Sequence, residues 1–415
     1  MFNVITRVFV LVLLIMISFN SYATVDITTS DTSYTNTVLI TGTSSLGGRI
    51  IGIYNAGSRN IIVNATSGTI TSADTNDNNT AAGIYSDSTG NSNTITNYGT
   101  ITVMNSGSNS NATGIRSYQN NNILINYGSI TAITSGVVGN NTYGIRSTED
   151  NNTLTNYGAI TATANTNGSA YGMRSQGNSN ALTNSGNITA TAEGNGLAVA
   201  IYSESPTTGS TITNSGTVTA SGGAGSTAVA IQNYGILDSL TNSGTISGPV
   251  AIDSTVAGTS IGSITNSGTI DGDINILRQD VTILGGSGSK VGALTGGTIT
   301  LTSGKNLTFG SGNQLLGDNI NVGTGTVTNE GSLYLNSVQS ITGKYTQTST
   351  STYNSSSHPG SRLRYHALEP SFKRTIQLHF VYLFFLASSR WPPNTSNGSN
   401  CLSPRIANLK SFGVG

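Results

Sequence analysis

The feature that most constrains this chain is a corner that returns at near-constant spacing. Asn97-Tyr98-Gly99-Thr100-Ile101 recurs as Asn126-Tyr127-Gly128-Ser129-Ile130 and Asn156-Tyr157-Gly158-Ala159-Ile160. The tyrosine then becomes serine, at Asn184-Ser185-Gly186, Asn214-Ser215-Gly216, Asn242-Ser243-Gly244 and Asn266-Ser267-Gly268. From Asn97 to Asn266 the steps are 29, 30, 28, 30, 28 and 24 residues. A second motif precedes the corners by 12 to 15 residues, as in Gly83-Ile84-Tyr85-Ser86, Gly114-Ile115-Arg116-Ser117, Gly144-Ile145-Arg146-Ser147 and Gly172-Met173-Arg174-Ser175. A fixed period of this kind marks a stacked repeat, in which no unit buries its apolar face alone.

Each unit carries one short strand at the Gly-Ile motif, one before the Asn corner and one after it. Charged residues are only 8% of the chain and glycine contributes 52 residues, with Thr, Ser, Asn, Ile and Val filling most of the rest. Thr, Ile and Val suit a pleated, half-buried surface, and Asn and Gly suit positive-φ corners. No apolar period of 3.6 is sustained, which argues against helices. The fold expected is all-β: a right-handed parallel β-helix, a solenoid of coils of about 28–30 residues. The asparagines at 97, 126, 156, 184, 214, 242 and 266 then fall in one column. Their amides are expected to form a hydrogen-bonded ladder (Asn97, Asn126, Asn156, Asn184, Asn214, Asn242, Asn266), as in other stacked β structures.

Residues 1–23 read as a secretory signal peptide. Arg7 precedes an apolar run, Val8–Phe19, and Ser21-Tyr22-Ala23 offers small residues at a cleavage site. That run is well short of the roughly 20 residues that span a bilayer, so no transmembrane helix is expected beyond the cleaved signal. The β-helix repeats are expected over 24–354. The body, 24–354, holds nine Lys and Arg against sixteen Asp and Glu, and it has no basic stripe of the sort that binds nucleic acid. The single cysteine, Cys401, rules out an intramolecular disulfide.

Residues 355–415 use a different vocabulary. All three histidines, the only Trp and five of seven prolines lie there. The tail is therefore expected to be unstructured and aberrant, an out-of-frame or unrelated sequence joined to an interrupted repeat protein.

Several segments resemble the passenger region of bacterial autotransporters (type V secretion). They are the Asn-x-Gly-x-Ile corners, Asp271-Gly272-Asp273-Ile274-Asn275, Gly317-Asp318-Asn319-Ile320 and Gly343-Lys344-Tyr345-Thr346-Gln347. The likeness covers about residues 1–354, and passengers range from adhesins to proteases. In that family a membrane β-barrel follows, with alternating strands of about ten residues and aromatic girdles. No such series occurs here. The resemblance implies surface display or secretion for the intact family, and a periplasmic location for a product without a barrel.

Catalytic chemistry finds little support. Residues 24–354 contain no histidine, so a Ser-His-Asp arrangement lacks its base. Leu284-Gly285-Gly286-Ser287-Gly288-Ser289 reads as a turn. Zinc lacks Cys or His ligands. Asp271, Asp273 and Asp280 are the densest acidic group, with spacing that matches no calcium loop. No cofactor is expected.

Two rows are candidate outward binding stripes. Arg116, Arg146 and Arg174 occupy equivalent positions in successive units, continued by Tyr54, Tyr85 and Tyr202. Tyr98, Tyr127 and Tyr157 form the other. The arginines read either as a solvated row on the outer face, paired with Glu149 and Asp150, or as a stripe for anions or polysaccharide. The function expected is a non-enzymatic, adhesin-type exported passenger, an interrupted fragment lacking its translocator barrel. Its partners would be a host surface, a glycan or other copies of itself. The alternatives are a β-helical enzyme acting on polysaccharide and a non-functional truncated product.

Reading the nucleotide sequence past codon 350 in all three frames tests the interruption. Barrel-type strands are expected in another frame; a plain stop with none downstream makes the tail native.

Overall fold

The computed structural model describes residues 24–45, 49–87, 89–136, 139–204, 208–355 and 363–366. Residues 1–23, expected to be a signal peptide, and most of the tail lie outside these residues. The chain divides into two units, Met1–Glu369 and Pro370–Gly415, and the second lies wholly outside the described residues.

Every regular element among the described residues is a strand, and through the regular repeats from Thr80 to Gly222 each strand pairs with the third one before and after it. Asn111–Ser117 runs parallel to both Thr80–Ser86 and Asn141–Ser147. Ile123–Asn126 does the same with Thr94–Asn97 and Thr153–Asn156, and Ser129–Thr134 with Thr100–Asn105 and Ala159–Ala164. Three strands thus close one coil, and the fold is a parallel β-solenoid of about ten coils at ~28-residue spacing. No helix of the described residues is long and apolar enough to cross a membrane.

Burial alternates along the corner strands, so that every second residue faces the interior. Ile95, Leu124, Leu154, Leu182, Ile212, Leu240 and Ile264 form one interior column in strict register. Ile101, Ile130, Ile160, Ile188, Val218, Ile246 and Ile270 form another. All are buried. Burying such a side chain contributes about 1.5–3 kcal/mol, and it is gained only when a neighbouring coil is present.

The asparagine ladder is present and longer than the sequence suggests. Asn97 Nδ2 donates to Asn126 Oδ1 at 2.7 Å, and the same bond links 126 to 156, 156 to 184, 184 to 214, 214 to 242 and 242 to 266 at 2.8 Å each. It begins earlier, with Asn36 donating to Asn64 and Asn64 to Asn97. Those corners, Asn36-Thr37-Val38 and Asn64-Ala65-Thr66-Ser67-Gly68, lack the Asn-x-Gly spacing. A second ladder runs beside it. The backbone N–H groups of Thr32, Asn60, Asn93, Asn122 and Asn152 donate to the side-chain oxygens of Asn60, Asn93, Asn122, Asn152 and Asn180.

The corner glycine has a different role from the one expected. Gly99, Gly128 and Gly158 are not among the positive-φ residues; those are mostly Asn, Ser and Gly elsewhere, such as Asn121, Asn151 and Ser179. A Cβ on Gly128 would instead lie 2.0 Å from the Gly99 carbonyl oxygen. Glycine is required there because consecutive coils pack backbone against backbone.

Three departures from regularity stand out. Leu39–Ser45 and Arg49–Asn55 form an antiparallel pair at the start of the stack. Thr245–Ser254 pairs with both Thr217–Gly222 and Thr227–Asn233, so one turn is lost, which explains the short 24-residue step. Finally, Leu363–His366 runs parallel to Gln339–Gln347, so strand pairing continues past residue 354, where the repeats were expected to end and an unstructured tail to begin.

Asn126→Ala removes an acceptor for Asn97 and a donor to Asn156 Oδ1, Gly128 O and Ala159 O. Leaving buried amide groups unpaired is expected to cost about 1–3 kcal/mol, read as a lower urea midpoint. Tyr127→Ser, which installs the residue of the later corners, should cost less.

Candidate functional site

The arginine row lies where the Gly-Ile strands bend. Gly144 and Ile145 both face the interior: a Cβ on Gly144 would meet Ile160 Cγ2 at 2.2 Å, and Ile145 is fully buried in the core. Two inward residues in succession break the alternation, so the outward neighbours Tyr143 and Arg146 lean toward each other. The Arg146 guanidinium carbon lies 5.0 Å from the Tyr143 ring centre. The same break occurs at Gly114-Ile115 and Gly172-Met173, and a seam of packed tyrosine and arginine side chains runs along the outside of the coils.

Register places Tyr54, Tyr85, Arg116, Arg146, Arg174 and Tyr202 in one column, as expected. The surroundings differ from a solvated row. Arg116 packs on Tyr118 and Tyr85, at 4.5 and 5.6 Å. Arg174 lies within 5.4 Å of the centres of Tyr143, Tyr171 and Tyr202. These tyrosines stack in turn, Tyr143 on Tyr171 at 5.3 Å and Tyr171 on Tyr202 at 5.4 Å. They form a small apolar cluster with Val199 and Val229, separate from the coil interior. Such ring faces attract guanidinium groups, and the contacts shed water from both.

The pairing with Glu149 and Asp150 does not form. Arg174 binds Glu204 instead, its Nε donating at 2.9 Å, while its Nη1 donates to the Tyr143 hydroxyl at 2.9 Å. Asp150 accepts from the Asn178 backbone and side chain. Glu149 sits in a positive-φ turn and offers its carbonyl to Asn152 and Asn180. Burial, followed by the charge of Arg146, pulls the Arg116 pKa down to about 10. Burial lowers that of Arg146 as well. For Arg174 burial acts against the charge, but Tyr143 and Glu204 outweigh it and the pKa rises. All three remain cationic at neutral pH.

Tyr54 donates to Asp87 Oδ2 at 2.6 Å. Burial and then this bond to an anion push its pKa up to about 12. Burial also raises Tyr85, Tyr171, Tyr202 and Tyr234.

Tyr98, Tyr127 and Tyr157 form the expected second row. Their rings are parallel within 8°, with centres 4.9 and 4.7 Å apart, and each residue is 44–49% exposed. The inner faces cover one another, so solvent meets mainly edges and hydroxyls.

Sequence reasoning missed Tyr118, Tyr143, Tyr171 and Glu204. A signal was present for two of them. Tyr-Gly-Ile-Arg and Tyr-Gly-Met-Arg at 143–146 and 171–174 place a tyrosine three residues before each arginine. It was hidden because regular alternation puts such residues on opposite faces.

The acidic stretch stays dispersed. Asp273 accepts from the Thr298 backbone and Asp280 from the Asn306 backbone. Among the described residues no three His, Cys, Asp or Glu side chains are placed to hold a metal. Burial raises Asp318, whose Oδ1 accepts from Gly297 N, to about 6. Ser287-Gly288-Ser289-Lys290 is a turn, closed by Lys290 N donating to the Ser287 carbonyl. Comparison of the chain with family models, curated proteins and solved structures gave no match.

The Tyr54 shift has a testable sign. In the unfolded chain its hydroxyl ionises near pH 10, whereas in the fold it keeps its proton to about 12. Its stabilising contribution is therefore whole below pH 10 and lost as pH rises through 12. The urea-midpoint advantage of wild type over Tyr54→Phe should be constant below pH 10 and gone above 12.

Proposed function

We propose that the chain is an exported, autotransporter-type passenger that acts by binding rather than by catalysis. The observation that carries this reading is the strict register of the outward columns. Successive coils present the same side chains one strand spacing, about 4.8 Å, apart, as the arginines do at 116, 146 and 174. A surface built this way offers repeated, individually weak contacts, and such contacts gain strength through effective concentration. A host surface, a glycan or further copies of the chain are partners of suitable form.

The seam also favours binding over turnover. Its carboxylates are engaged, Glu204 by Arg174 and Asp87 by the Tyr54 hydroxyl. General acid–base chemistry on a sugar chain needs such groups free to exchange protons with the substrate. The resemblance of the corners and of Gly343-Lys344-Tyr345-Thr346-Gln347 to passenger sequences supports export, together with the charged and apolar pattern of residues 1–23.

Cell fractionation with N-terminal sequencing, followed by binding and chain-length assays on polysaccharides, tests this. The expected product is exported, begins at Thr24 and retains polysaccharide without shortening it. Recovery with Met1 intact in the cytoplasm, or a falling polymer length, defeats the reading.

A further inference from the structure

The three arginines are not equivalent. Among the described residues the ion pairs are Arg59–Asp31 and Arg174–Glu204, so one member of the row has a carboxylate partner. Among the described residues Arg116 hydrogen-bonds only to the Tyr118 hydroxyl, through Nη2, and its Nε is buried without an acceptor. Arg146 makes no hydrogen bond among the described residues. Its Nε is likewise buried and unpartnered, while its Nη groups are not buried. These two are neighbours in the column, paired in register between Asn111–Ser117 and Asn141–Ser147.

Such an arrangement is costly as it stands. Buried polar groups nearly always find a partner, and two like charges one strand spacing apart repel, more strongly where water is excluded. One anion placed across the solvent-facing Nη groups of both arginines removes the repulsion and supplies the acceptor that these guanidinium groups lack. The planar donor fork of arginine matches the oxygens of a carboxylate or a sulfate. Tyr85 and Tyr143 flank the pair, and the one-coil step between the arginines is close to the length of a pyranose ring. The body as a whole is acidic, with sixteen Asp and Glu against nine Lys and Arg in residues 24–354. That balance disfavours a densely charged polyanion such as nucleic acid and favours a chain with spaced charges.

We propose that Arg116 and Arg146 form an anion site that takes the carboxylate or sulfate group of an acidic glycan, with Arg174 held out of that role by Glu204. The proposal deepens the binding reading above and rests on it for the glycan, though not for the anion.

The test titrates the full chain by calorimetry with hyaluronan hexasaccharide, which carries carboxylates, and with heparin hexasaccharide, which adds sulfates. Dextran oligosaccharide of equal length and inorganic sulfate serve as comparisons. The acidic oligosaccharides should bind and dextran should not; binding of both assigns the carboxylate as sufficient, and binding of heparin alone assigns the sulfate. Arg146→Gln and Arg116→Gln should each weaken binding by about tenfold or more, the effect of losing hydrogen bonds to a charged group. Glu204→Gln should tighten it several-fold by freeing Arg174. Arg59→Gln, on an exposed turn, should change nothing. Arg146→Gln should melt no lower than wild type, since it removes an uncompensated charge; a purely structural arginine would show the opposite.

Equal binding by wild type and Arg146→Gln overturns the site. So does a Glu204→Gln variant that binds no tighter, which decides the matter even if Arg146→Gln fails to fold. Inorganic sulfate binding as tightly as the oligosaccharides overturns the glycan assignment. Retention of polysaccharide that is insensitive to all three substitutions overturns this inference and leaves the binding reading intact. Shortening of the oligosaccharide defeats that reading, whatever Arg146→Gln does.

Discussion

The structure depends on hydrogen bonds made from one coil to the next, and the asparagine ladder is their most directional form. Each Nδ2 in the series from Asn36 to Asn242 points to the Oδ1 one coil on, and always in the same sense. Aligned amides polarise one another, so the chain of bonds is stronger than its members taken singly. The ladder also decides which residue of one coil meets which residue of the next. The isoleucine columns on either side of it inherit their register from that choice. With charged residues so few and a disulfide framework excluded, directional amide bonds and apolar burial hold the body together.

The same stacking that builds the interior builds the seam outside it. A column of arginines is unfavourable on electrostatic grounds, yet the coil repeat brings Arg116, Arg146 and Arg174 together. Tyrosine rings make the crowding tolerable by covering the guanidinium faces, and Glu204 neutralises one end. The seam is thus a second packed layer whose charge is incompletely balanced, unlike the corner tyrosines, which balance nothing and lie open to solvent.

Much of the architecture was legible in the sequence because the repeat obeys simple rules. The column of asparagines, the alternation of the corner strands and the alignment of the Gly-Ile-Arg-Ser motifs all follow from a constant period. What was not legible turns on close approach. The corner glycines look like turn-formers, but their need for glycine comes from a carbonyl of the preceding coil. Asn36 escaped because Val38 stands where the corner glycine would be, and Asn64 because its corner is two residues longer, although each ends in the same inward isoleucine. The asparagine four residues before the ladder position, as at Asn93, Asn122, Asn152 and Asn180, recurs plainly but was not read. The burial of the arginines depended on the bend at Gly144-Ile145, which no alternation rule anticipates. The pairing of Leu363–His366 was unforeseen because its composition differs from that of the coils.

The loss of one turn at Thr245–Ser254 has a consequence for how such a chain changes its length. The coil there is several residues shorter, yet Asn242 still meets Asn266 at 2.8 Å. Differences in length are taken up in the turns, and the ladder positions keep their place. A whole coil is therefore an exchangeable module. Its duplication or excision would rejoin columns of the same kind, whereas a single residue inserted within a strand would turn the interior side chains beyond it outward. The varied spacing between ladder asparagines records which of these two kinds of change the fold admits.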